Sequence, residues 1–317
     1  MTELDFLLWL QSFATPWLDT LMGAITQLGN EYFYMAALCF LYWCVDVKAT
    51  LRLFVLFLTG VYIGGAIKVL TSELRPFQVR PDLIHARFTS TAEDASFPSA
   101  HALHSTLFWG YLCTMIRRRW IYIVAPIVVL LIAFSRLYLG LHWPRDVFWG
   151  LILGLVILGI GYAIFRLLDV MPMQAKFPVT LVVCLVPLAL FALLPSHSSA
   201  QSMGVLFGAA LGHLLERQYV HFAVRRAWWQ QVLKLVIGLA GAALLLLGLR
   251  GILAPLQTSV DFILVTPETN LPDTSNRLVE WASETPVLLR YALVGLWGTL
   301  GAPAIFRLLF GKDTGKK

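Results

Sequence analysis

Charge is what this sequence has least of. Of its 317 residues only 13% are Asp, Glu, Lys or Arg, about half the share of an ordinary soluble domain. So few charges cannot cover a water-facing surface, which excludes a soluble globular fold, and the 58% hydrophobic content points to an integral membrane protein. Cysteine is scarce too. Cys39, Cys44, Cys113 and Cys184 lie inside apolar stretches with no CxxC or Cys/His spacing, so they read as core residues rather than metal ligands. No Walker loop and no carboxylate cluster is present, so neither a metal nor another cofactor is expected. Met1–Asp5 is acidic and lacks the basic start and small-residue cleavage site of a removable signal, so membrane targeting is expected from the spanning segments themselves.

What the chain has instead is long apolar runs. A helix needs about 20 such residues to cross the hydrocarbon core. About nine runs qualify, roughly 26–46, 50–71, 98–116, 120–139, 144–168, 178–195, 201–218, 229–252 and 286–310. Upstream, Phe6, Leu7, Leu10 and Phe13 form a helical stripe that Pro16 interrupts. Residues 3–24 therefore predict one or two helices lying at the interface, with a tenth crossing as the alternative. The fold class is all-α, a polytopic transmembrane helix bundle.

The net charge of +6 could suggest nucleic acid, but the placement of the charges decides otherwise. Alternate connections hold Lys48 and Arg52, then Arg117–Arg119, then Arg166 and Lys176, then Arg217, Arg225 and Arg226, and the tail adds Lys312, Lys316 and Lys317. Most acidic residues fall on the opposite face. This is the positive-inside pattern, so the basic balance reflects topology and no nucleic-acid partner is expected. It puts the C-terminus in the cytoplasm and the junctions near 68–76, 98–101 and 135–146 outside.

Two parts are expected, a catalytic unit over residues 1–170 and an added four-helix unit over 177–317. In the second, Gly204, Gly208 and Gly212 make a smooth stripe on one helix face, read first as intramolecular packing and second as a homo-oligomer contact. His213, Glu216 and Arg217 are read as residues snorkelling at a helix end. The acidic, Pro- and Thr-containing segment 253–285 reads as an outward loop, either a lid or a solvated connection.

Chemistry concentrates at the three outward junctions. Lys68 lies about two turns before Arg75, so both side chains can reach one anion, and Pro76 stops the helix. Ser99, after Pro98, opens the next helix, where free amides and the dipole favour a phosphate. Arg136 adds a second planar fork for phosphate oxygens. His101 and His142 remain for bond breaking. Asp146, one turn after His142, can hold that ring's tautomer, which makes His142 the better nucleophile and His101 the better acid. His104 could line the pocket or join His101 as a metal pair, with pocket lining or helix packing the favoured reading. Gln78, Arg80, His85 and Arg87 are candidate contacts to a substrate head group, or one face of a solvated loop.

Lys68-x6-Arg75-Pro76, then Pro98-Ser99-Ala100-His101, then Ser135-Arg136-x5-His142-x3-Asp146 resembles the three-part signature of the type 2 phosphatidic acid phosphatase (PAP2) superfamily. The resemblance covers about half of the chain, and Ala100 stands where the family usually has Gly. It implies phosphate binding by Lys68, Arg75, Arg136 and Ser99, a phosphohistidine on His142 oriented by Asp146, and His101 as the acid and then the base, without a metal. The segment count is similar to that of glucose-6-phosphatase. The resulting expectation is a phosphatase of a bacterial inner membrane, acting at the periplasmic face on a phosphomonoester or diphosphate of a lipid. A sugar phosphate hydrolase, a lipid phosphotransferase and a lipid-phosphate transporter are the alternatives.

Overall fold

The computed structural model describes residues 2–171, 173–264 and 273–311. Among them every regular element is helical and there is no strand. α1 (Glu3–Gln11) and α2 (Pro16–Gln27) have 9 and 12 residues, about 14 and 18 Å of helix, too short to cross a bilayer. Thr2 and Asp5 cap α1 reciprocally, and Pro16 occupies the first position of α2. The chain continues with α3 (Glu31–Cys44), α4 (Val47–Thr71), the short α5 (Pro76–Val79), α6 (Ala100–Ile116), α7 (Ile121–Tyr138) and α8 (Pro144–Val170). Then follow α9 (Met173–Leu193), α10 (His197–Leu215), α11 (Trp228–Leu264), α12 (Asp273–Leu296) and α13 (Ala302–Phe310).

Among the described residues five helical stretches are long and apolar enough to cross a membrane, Val47–Val79, Ile121–Tyr138, Pro144–Val170, Trp228–Leu253 and Val279–Phe310. Two other expected spans fall on shorter helices. α3 has 14 residues and α6 has 17, about 21 and 26 Å at the helical rise. The segment expected as a long outward loop differs more. α11 runs on to Leu264 and α12 already begins at Asp273, so most of 253–285 is helical. Hydropathy marks only where a helix leaves lipid, and after Pro255 nothing up to Leu264 breaks one. Lys312, Lys316 and Lys317, which the charge pattern puts on the cytoplasmic side, lie outside the described residues.

The chain divides into two compact units, one of residues up to Ala37 with Val55–Asp169, the other of Leu38–Phe54 with the chain from Val170 onward. In the first, α6 is the axis. Every residue from His101 to Phe108 is buried, so α6 is covered on all sides, and its polar residues face protein rather than lipid. α7 packs along α6, and α1 and α2 pack against α7. The connection after α5 is tied down by these helices. Gln11 exchanges two hydrogen bonds of 3.2 Å with the His85 backbone, and Arg87 pairs with Asp19 at 3.0 Å. His85 and Arg87 thus belong to a braced loop.

In the second unit α10 lies against α12 and α9, and α11 against α12. The glycine stripe of α10 is filled within the unit. A Cβ on Gly208 would overlap the Ala292 carbonyl oxygen and come within 2.6 Å of its carbon, so the two backbones touch. His213 and Glu216 do not snorkel. His213 Nδ1 lies 3.1 Å from the Tyr42 hydroxyl, and the buried Glu216 accepts from the Phe222 amide at 3.0 Å, because two aromatic rings already wall off that helix end. Lys234, inside an apolar run, is fully buried. It donates to the carbonyls of Trp43, Ala223 and Val224 at 3.2, 2.7 and 2.8 Å and sits over Phe222 and Phe306.

Gly208→Leu is expected to lower the melting temperature of the detergent-solubilised protein, with a cost of about 3 kcal/mol or more, because backbone cannot yield as a side chain can. Gly248→Ala, where an added Cβ meets nothing within 4 Å, is the control and should leave the protein as stable or raise it by about 0.5–1 kcal/mol. Equal melting temperatures for the two variants would refute the backbone contact.

Candidate active site

The three junctions near 68–76, 98–101 and 135–146 meet around one cavity of the first unit, about 420 Å³, lined among others by Asn30, Glu31, Arg75, Asp94, His101, His104 and His142. Its side chains are placed by helix ends. Asp146, third residue of α8, accepts the Trp143 amide at 2.9 Å, which caps the helix and puts a carboxylate at the positive end of its dipole. The same oxygen accepts from Ser96 Oγ at 2.5 Å and lies 3.4 Å from His142 Nδ1. The other nitrogen of that ring, Nε2, meets Arg75 Nη1 at 3.0 Å, and both residues line the cavity. With Nδ1 turned to a carboxylate and Nε2 to a cation, the favoured tautomer carries its proton on Nδ1 and its lone pair on Nε2.

Three cations surround the rings. Arg75, at the start of α5, donates to the carbonyls of Asp94 and Leu141, both at 2.8 Å, and to Asp94 Oδ1 at 2.7 Å. Lys68, in the last turn of α4, pairs with Asp94 Oδ2 at 3.3 Å and donates to the Ala95 carbonyl. Arg136 Nη1 donates to Thr26 Oγ1 and Thr91 Oγ1, both at 2.9 Å, and lies 3.5 Å from His101 Nε2. Burial first, and then the charges of Arg75, Arg136 and Lys68, holds the His142 imidazole well below its ordinary range. Burial pushes the Asp94 carboxyl up, but Lys68 and Arg75 outweigh it and hold the group below the usual carboxylate range.

Of the residues named from sequence, Lys68, Arg75, His142 and Asp146 form one contact network through Asp94, Arg136 and His101 form a second, and His101 and His104 line the same cavity as Arg75 and His142, with the His104 ring 5.1 Å from that of Phe57. Ser99 is adjacent. Its amide donates to the Asp146 carbonyl at 3.0 Å, while its buried hydroxyl has no hydrogen-bond partner. Gln78 and Arg80 are engaged elsewhere, Gln78 accepting from the Arg75 amide at 2.8 Å and Arg80 gripping Asp82 at 3.1 and 2.8 Å. Among the described residues no group of three His, Cys, Asp or Glu side chains converges as a metal-ligand set.

Several contributors were not legible beforehand. Asp94 read as one more outward acid, Thr26 and Thr91 carry no motif, and Ser96 sits just before the conspicuous Pro98-Ser99 pair. Gly29 also matters. A Cβ there would come within 2.7 Å of His101 Cδ2, so the bare backbone lets the turn after α2 form a wall against the ring. The only available signal was the Gly29-Asn30 pair, which marks a turn but not what it touches.

Residues 49–168 match the model of the PAP2 superfamily, and residues 200–267 match that of the PAP2 superfamily phosphatase transmembrane extension. The chain is 30% identical over 140 residues to an undecaprenyl-diphosphatase of Sulfolobus acidocaldarius, covering 43% of this chain and 66% of that one. It is 31% identical over 163 residues to the sphingosine-1-phosphate phosphatase 2 of Mus musculus, covering 49% and 45%. The chain thus spans between about half and two thirds of the length of these curated relatives. Among solved structures, a transmembrane PAP2 type phosphatidylglycerolphosphate phosphatase from Bacillus subtilis aligns with a TM-score of 0.46 at 20% identity, over 54% of this chain and 87% of that one. All the motif residues that meet at the cavity lie inside the first matched segment and the second begins within α10, and on both counts this membrane protein belongs to the PAP2 superfamily.

Proposed function

We propose that the chain hydrolyses a phosphomonoester or diphosphate carried by a lipid, through a phosphohistidine on His142. The observation that carries this reading is the polarity of the His142 ring, with Nδ1 on Asp146 and Nε2 on Arg75, in a cavity that His142, Arg75 and His101 all line. An imidazole held neutral needs no base before it attacks. In the first step the Nε2 lone pair forms the N–P bond as the P–O bond to the lipid breaks, and His101 gives its proton to the departing oxygen. Asp146 stabilises the positive charge that grows on the ring. Lys68, Arg75, Arg136 and the Ser99 region hold the phosphoryl oxygens, whose charge is stabilised as it shifts toward the transition state. His101, now without its proton, takes one from water, whose oxygen attacks phosphorus and frees His142. No step calls for a metal.

A lipid substrate is supported by the membrane setting and by the relatives, which are named for phosphorylated lipids. In this reading residues 1–170 form the catalytic part and 177–317 an added one, the chain crosses the membrane about nine times, and the cavity opens on the periplasmic side of a bacterial inner membrane.

Purified protein should release phosphate, with chelator present, from at least one of a polyprenyl diphosphate, phosphatidic acid, phosphatidylglycerophosphate or a sphingoid base phosphate. His142→Ala should lower that rate by about three powers of ten, roughly 4 kcal/mol. His101→Ala should accumulate phosphoenzyme from an aryl phosphate, whose leaving group needs no proton, and Asp146→Asn should keep binding and lose turnover. An acid-labile label on His101 rather than His142 would reverse the roles. On orientation, a cysteine in the 82–92 loop should react with an impermeant thiol reagent on intact cells, and one at Arg118 should not. The opposite pattern would place the site inside.

The pH dependence follows from His142. Its folded value lies below the ordinary 6.5, so the neutral, attacking form persists as pH falls past 6.5 and is lost only through the lowered value. For an aryl phosphate, kcat/KM should show no loss near pH 6.5. An acid limb centred there would mean that His142 titrates as an unperturbed imidazole.

A further inference from the structure

The Arg75 guanidinium has no hydrogen to spare. Nε donates to the Asp94 carbonyl, Nη1 to the Leu141 carbonyl and toward His142 Nε2, and Nη2 to Asp94 Oδ1 and, at 3.3 Å, to the Ala95 carbonyl. Five N–H groups face five acceptors. Beside it, Lys68 takes the other Asp94 oxygen. One carboxylate therefore bridges two cations with its two oxygens, as two oxygens of a phosphate would. Exposure differs sharply between the partners. The side chains of Arg75 and Lys68 are 1% and 7% exposed, whereas that of Asp94 is 60% exposed. A phosphate can reach Arg75 only by replacing one of the five acceptors. Three are main-chain carbonyls and one is the attacking imidazole, so the carboxylate is the one that can leave.

We infer that Asp94 is a specificity-determining residue that occupies the anion seat between Lys68 and Arg75, so that a substrate phosphate binds by displacing it. This rests on the reading of Lys68 and Arg75 as phosphate ligands and goes beyond it. While the site is empty, the carboxylate keeps two buried cations from standing unpaired. It also sets a threshold, because an anion must attract the pair more strongly than a tethered carboxylate does. A phosphoryl group anchored by an apolar tail passes that threshold, and a small free anion passes it poorly. After hydrolysis the tethered group returns at high local concentration and favours departure of orthophosphate.

Calorimetric titration of the detergent-solubilised full chain with orthovanadate and with orthophosphate tests this. Asp94→Asn removes the competing charge and should tighten both anions by about tenfold or more, while narrowing the ratio between orthophosphate inhibition and the KM of a lipid phosphate. Unchanged or weaker anion binding by folded Asp94→Asn overturns the inference. A second measurement leaves Asp94 in place. In wild-type protein, saturating vanadate should increase carbodiimide labelling of Asp94, read by fragmentation so that Glu93 is resolved from it, and labelling that vanadate leaves unchanged or lowers overturns the inference as well. Neither readout needs turnover. Wild-type protein that releases no phosphate from any lipid, yet shows both anion effects, refutes the phosphatase reading and leaves Asp94 in its role.

Discussion

Three buried cations set the terms for everything around them. Lys68, Arg75 and Arg136 are 6%, 1% and 0% exposed, and a buried charge left without partners costs several kcal/mol. The partners come from separate stretches of chain, Thr26 in the last turn of α2, Thr91 and Asp94 from the braced loop, and Leu141 between α7 and α8. Satisfying the cations therefore holds those stretches together. The capping of α1, the Gln11 bridge to His85 and the Asp19 pair with Arg87 serve the same end, because they fix the loop that carries Thr91 and Asp94.

The same requirement gives the site its chemical direction. A histidine between a carboxylate and a guanidinium has two unlike nitrogens, and here Asp146 and Arg75 supply that asymmetry at 3.4 and 3.0 Å. Asp146 in turn is fixed by a helix start and by Ser96, so the ring's orientation is inherited from backbone geometry and not from a free side chain.

Much of this could be read from the sequence, and the reason is spacing. His142 and Asp146 are one turn apart, so local periodicity already put them together. Lys68 and Arg75 do not share the helix expected to end at Pro76, because α4 stops at Thr71 before a left-handed Ser72 and Pro76 opens α5, and the two cations are gathered by Asp94 instead. The contacts that escaped notice are long-range. Arg136 reaches Thr26 across 110 positions and Thr91 across 45, distances over which periodicity carries no information. Gln78 and Arg80 show the converse, since a polar residue near a motif satisfied itself locally, on a backbone amide and on a neighbouring acid. Hydropathy likewise located apolar runs but not helix ends, hence the helical turns found in the segment read as an outward loop, and it did not reveal that Lys234 is satisfied inside the second unit.

The division of labour within the cavity follows from what each wall can sense. Residues that grip a phosphoryl group read only what all phosphorylated lipids share, and those proposed for that role lie within 49–168, the segment matching the family. Discrimination needs groups that face the rest of the molecule. Gly29, Asn30, Glu31 and Tyr32 line the same cavity from outside that segment, and Glu93 adds a carboxylate from the loop. These bring two acids, an amide and a phenol to the cavity, and the Gly29 backbone holds that wall against His101. On the proposed reading the motif segment holds the phosphate, while the turn after α2 and the first residues of α3 supply the polar wall that faces the rest of the bound molecule.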